Sequence, residues 1–83
     1  MTEDITVKVM HRVKEPAIYI TGNLSHAQRM FDEAALVLER KGNVAKVEMW
    51  LSDRLMKYAN KDGVFDVKYT KAGVYQGVEE VNE

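Results

Sequence analysis

Few side chains in this sequence can act as nucleophile, base or metal ligand. The 83 residues include His11 and His26, Ser25 and Ser52, and no cysteine. A Ser–His–Asp set for acyl transfer can be written from Ser25, His26 and Asp32. However, adjacent residues at the start of a helix do not aim at one point, as a nucleophile, its base and the acid orienting that base must. Asp32-Glu33 is an acidic pair on a predicted exposed helix face. It lacks the burial that makes a carboxyl group a general acid. There is no Gly-x-Ser-x-Gly elbow, phosphate-binding glycine loop or dinucleotide fingerprint. The histidines show neither His-x-x-x-His nor Glu-x-x-His spacing, and the lack of cysteine removes thiolate zinc sites, iron–sulfur clusters and disulfides. His11 reads as a hydrogen-bonded strand residue and His26 as an ordinary helix-start residue. The expectation is a protein that is not an enzyme and has no cofactor and no metal.

Two other patterns remain. Lys46, Arg54, Lys57, Lys61, Lys68 and Lys71 fall in the C-terminal half, interleaved with Trp50, Tyr58 and Tyr69. Basic residues beside sheet aromatics are how single-stranded nucleic acid is held. Net charge is only -1, but residues 40–71 carry eight basic and four acidic side chains, against none and three in residues 72–83. The second pattern is apolar residues at positions expected to be polar. Trp50 alternates with Lys46 and Glu48, and Met10 with Lys8 and Arg12. Leu36 falls among Arg29, Asp32, Glu33 and Arg40 on a helix. Large aromatic residues and arginine are common interface anchors.

The elements that must position these residues follow from periodicity. Residues 5–13 alternate with Ile5, Val7, Val9 and Val13 on one parity, which predicts a strand with one buried face. Pro16 interrupts, and residues 17–21 predict a second strand, antiparallel to the first. Ser25 and Gln28 have capping-box spacing and predict a helix over 26–41, with Gly42 beyond its end. Ala27, Met30, Phe31, Ala34 and Leu38 form its apolar stripe. Residues 44–51 alternate again, with Ala45, Val47, Met49 and Leu51 inward. Residues 54–59 return, Asp62-Gly63 signals a hairpin, and residues 64–70 form the next strand. The predicted fold is an α+β two-layer sandwich of order β-β-α-β-β-β, one helix on a mainly antiparallel sheet. Residues 1–73 are the expected domain, and 74–83 an acidic tail or short edge strand.

A chain of this length buries roughly 60% of its surface, enough for a thin core but not a deep pocket. No apolar run reaches the roughly 18 residues that span a bilayer, so no membrane partner is expected. The cysteine-free composition predicts a reducing, cytoplasmic setting. The leading expectation is a small protein-interaction module binding through the helix-free sheet face, with another protein or itself as a homodimer. A regulator or inhibitor of a larger complex, of the phage or plasmid type, is its concrete form. Trp50, Met10, Tyr58, Arg54, Arg12 and Leu36 are its candidate contacts. The alternative is nucleic-acid binding through Lys46, Lys57, Lys61, Lys68, Lys71 and Tyr69.

Overall fold

A computed structural model describes residues 4–39 and 44–81. Strands β1 (Ile5–His11) and β2 (Ala17–Thr21) precede helix α1 (Leu24–Glu39). Strands β3 (Val44–Leu51), β4 (Arg54–Asn60), β5 (Gly63–Tyr69) and β6 (Tyr75–Glu80) follow it. They form one six-stranded sheet of order β2-β1-β3-β4-β5-β6, and every neighbouring pair is antiparallel. The helix packs chiefly on β3 and β1 and less on β2 and β4. The architecture is therefore the expected α+β two-layer sandwich, with one strand more than the minimal order.

Alternation dictates the core. Opposed residues of an antiparallel ladder point to the same face, so the pairs Val7–Met49, Val9–Val47 and Val47–Ala59 share one side. These side chains are buried, and Ala27 and Phe31 of the helix stripe close over them. Met30, Ala34 and Leu38 pack at the margin of the same cluster. Where this cover ends, a lysine takes an inward position. Lys57 faces Asp66 in the ladder. Its Nζ lies 5.1 Å from the Phe31 ring centroid, donates to Gln28 Oε1 at 3.4 Å and lies 3.9 Å from Asp66 Oδ1. Its alkyl stem covers apolar surface while the ammonium meets polar groups at the rim.

Several local expectations are corrected. The helix is capped by Asn23, not Ser25. Asn23 Oδ1 accepts the His26 N–H at 3.1 Å, three residues into the helix, and Thr21 Oγ1 accepts the Asn23 N–H at 3.1 Å. Asparagine caps as well as serine, so the earlier site starts the helix two residues sooner. Gln28 instead donates to Asp32 Oδ1 at 2.9 Å. Arg40, Lys41 and Gly42, expected at the helix end, lie outside the described residues.

In β3 the buried residue is Val44 rather than Ala45. The register with β1 shifts so that Met10 faces Lys46 while His11 faces Val44, leaving Ala45 as the extra residue of a bulge. Strand β1 stops at His11, whose Nδ1 lies 3.1 Å from the Glu15 carbonyl, so Val13 falls in the exposed connection. Asn60 faces Gly63, which places Lys61-Asp62 in the β4–β5 turn and Gly63 just after it at φ 137°. Glu79 and Glu80, expected to fray, belong to β6 and pair with Asp66 and Phe65.

Candidate functional site on the helix-free sheet face

The ladder registers define a single row across the face opposite the helix. Ile18 faces Lys8, Lys8 faces Glu48, Glu48 faces Tyr58, Tyr58 faces Phe65, and Phe65 faces Glu80. A second row runs Ile20, Thr6, Trp50 and Leu55. Leu55 joins it because a bulge between Met49 and Trp50 shifts β4 by one residue. Without that shift Met56, not Leu55, would share Trp50's face; Met56 instead packs against the core.

Glu48 is the organising residue of this face. It is the one buried charged residue among those described, at 8% exposure. Trp50 Nε1 donates to its Oε1 at 3.2 Å, and Lys46 Nζ lies 3.2 Å from its Oε2. A carboxylate removed from water needs such partners on both oxygens. The surrounding rings carry cations. Lys8 Nζ is 5.0 Å from the Trp50 ring centroid, and Lys46 Nζ is 5.2 Å from that of Tyr58. Tyr58 stacks on Phe65 with centroids 5.2 Å apart and planes at 26°.

Further along, Tyr69 Oη donates to the Leu55 carbonyl at 2.8 Å, and Arg54 sits 5.0 Å over its ring. Tyr75 meets Tyr69 edge-on at 6.3 Å. Each cation–ring or ring–ring contact contributes about 0.5–1.5 kcal/mol. Their larger effect here is to hold Trp50, Tyr58 and Tyr69 in fixed orientations.

The candidate contacts divide accordingly. Trp50, Met10 and Tyr58 lie half-buried on this face, and Arg54, the first residue of β4, faces Leu51 in the ladder and reaches over the Tyr69 ring. Arg12 is exposed in the β1–β2 connection. Leu36 is exposed on the outer side of the helix, on the opposite side of the molecule. The nucleic-acid set is more dispersed. Lys46 and Tyr69 are on the helix-free face. Lys57 and Lys68 point to the other side of the sheet, beside Asp66 and Glu79 at 3.9 and 3.7 Å. Lys61 and Lys71 occupy turns at opposite ends of β5.

Glu48, Lys8 and Phe65 were not singled out by sequence, although strand parity places the first two beside Trp50. Ile18 and Ile20 were also missed, because a five-residue apolar strand shows no alternation of polarity.

On the helix side, an open apolar groove of about 390 Å³ runs between α1 and the β1–β2 hairpin, lined in part by Val9, Tyr19, Val37 and Val44. No helix among the described residues is long and apolar enough to cross a membrane. Compared with family models, curated proteins and solved structures, the chain matches none.

Proposed function

We propose that this chain is a non-enzymatic protein-interaction domain that binds through the helix-free face of its sheet. The supporting observation is the aromatic and cationic row on a sheet face that no described element covers, with Trp50 held in place by Glu48. A pre-oriented aromatic residue loses little side-chain entropy on docking, which is why such residues dominate interface energies. Lys8, Lys46 and Arg54 would orient an acidic or carbonyl-rich partner surface. Regulation or inhibition of a larger assembly is the form of activity that suits so small a domain.

Trp50 is the only tryptophan, so its fluorescence reports on this face directly. The test is affinity capture with nuclease present, followed by titration of the captured protein, read by Trp50 emission in the unmodified chain and by calorimetry in both the unmodified chain and the variant. A shift on binding, and at least a tenfold loss of affinity in Trp50→Ala with an unchanged circular-dichroism spectrum, is expected. Unchanged affinity in that variant refutes the reading.

The cation–ring pairs Lys8–Trp50, Lys46–Tyr58 and Arg54–Tyr69 favour single-stranded nucleic acid as a second reading. It requires affinity that falls steeply with salt. Because Lys57 and Lys68 point away, Lys46→Ala should flatten that dependence more than Lys68→Ala.

A further inference from the structure

The two edges of the sheet are built differently. Strand β6 carries Glu79 and Glu80 and a glycine at φ 121°, Gly77, and its ladder with β5 is broken by a register shift. Charges and bulges of this kind keep an edge from pairing with another chain. Strand β2 has none of them. Ala17–Thr21 contains no charged residue, no proline and no bulge against β1. Its three central side chains, Ile18, Tyr19 and Ile20, are exposed at 57%, 47% and 67%. No described residue pairs with its outer edge.

We infer that this edge is occupied by β2 of a second copy of the chain, antiparallel, about a two-fold axis through Tyr19. This rests on the reading of the chain as an interaction domain, and it assigns one partner to one surface.

The sequence of the strand carries the argument. A two-fold interface must be self-complementary, and Ile-Tyr-Ile is symmetric about its centre. With Tyr19 opposite its own counterpart, Ile18 faces Ile20 of the second copy and Ala17 faces its Thr21. Ile18 and Ile20 both lie on the helix-free face, opposite Lys8 and Thr6 in the β1 ladder. The pairing therefore gathers four isoleucines into one apolar patch. On the helix side the two tyrosines lie together at the mouths of the two apolar grooves, beside the half-exposed Val37.

Charge favours this edge over the other. The nearest charged residues to β2 in the chain, Glu15 and Lys14, would meet Asn23 and Leu24 of the second copy, neither of which is charged. Self-pairing of β6 would instead gather four carboxylates around one axis. The contact is short, well under the about 800 Å² per partner of a standard interface. The dimer is accordingly expected to be weak and reversible. It leaves the Trp50 face open in both copies.

The chain has no cysteine, so a single introduced one reports unambiguously. Opposed residues of an antiparallel pair have Cα atoms about 4.5–5.5 Å apart, inside the range a disulfide spans. Tyr19→Cys should cross-link to a dimer under copper–phenanthroline, whereas Val78→Cys, exposed on β6, should stay monomeric. In sedimentation, the unmodified chain should shift from monomer to dimer with rising concentration. Ile20→Lys should remain monomeric while keeping its circular-dichroism spectrum.

A monomer at every concentration, or cross-linking through position 78 and not 19, overturns the inference. Neither outcome touches the Trp50 face, whose capture and fluorescence tests stand separately. Conversely, a β2 dimer with no protein bound at Trp50 would overturn only the reading of that face.

Discussion

The indole–carboxylate bond on the helix-free face can be measured by a double-mutant cycle. Trp50→Phe keeps a ring and removes the N–H donor, and Glu48→Ala removes the acceptor. The bond is 3.2 Å long and half-buried, and hydrogen bonds to a charged group contribute about 1.5–3 kcal/mol, with long ones at the low end. The ion pair to Lys46 adds little, because the Lys46 side chain is 42% exposed and solvent-facing pairs contribute about 0–1 kcal/mol. Each single variant should therefore lose about 1.5–2 kcal/mol. The coupling between them should be about 1 kcal/mol. For a domain of this size the single-variant loss corresponds to a fall of about 6–16 °C in Tm. Urea denaturation followed by circular dichroism gives all four corners of the cycle. In Glu48→Ala the released indole should also shift its emission to the red. Additivity within about 0.3 kcal/mol would refute the argument that Glu48 holds Trp50 in place.

Three further outcomes follow from the packing and caps. Phe31→Ala removes a side chain that is 1% exposed, and at about 3–5 kcal/mol it should abolish cooperative thermal unfolding near 37 °C. A loss under about 2 kcal/mol would mean that the helix is not the lid of the core. Asn23→Ala should cost about 1 kcal/mol and Ser25→Ala under about 0.5 kcal/mol, since only Asn23 accepts a helix-start N–H; chemical denaturation of the pair decides it. Gly63→Ala places a Cβ 3.3 Å from Glu80 Oε1 at φ 137°, and the same assay should show a loss of about 1 kcal/mol or more.

Much of the fold was legible because β1, β3 and β5 alternate over most of their length and so expose their parity. The helix stripe from Ala27 to Leu38 was equally plain. What failed was local and had physical causes. Asn23 and Ser25 are both good caps, and spacing alone favoured the one with a glutamine three residues on. The Ala45 bulge and the β4 bulge each insert one residue, and no periodicity signals an insertion. Strand β6 was obscured by its glutamates and by Gly77, which weaken strand propensity. Its existence depends on β5 offering an open edge. Of the site, Trp50 and Met10 were placed on the helix-free face by parity, and Tyr58 lies there too because it faces Glu48 in the ladder. The basic residues were grouped by their nearness in sequence, and the same parity rule sends Lys57 and Lys68 to the far side of the sheet.

The strand order has a consequence for how the chain reaches this structure. Strands β3 to β6 meet in the order in which they occur, so three successive hairpins can close them without distant encounters. Only the β1–β3 seam joins segments far apart in the chain, with Ile5 opposite Leu51. Closing it costs loop entropy and is expected to limit the folding rate. The helix sits on that same seam, so Phe31 and Val7 should become ordered in one step. During synthesis the first hairpin and the helix emerge before their partner strand exists. Until β3 follows them, the apolar stripe of the helix has only the hairpin to rest on.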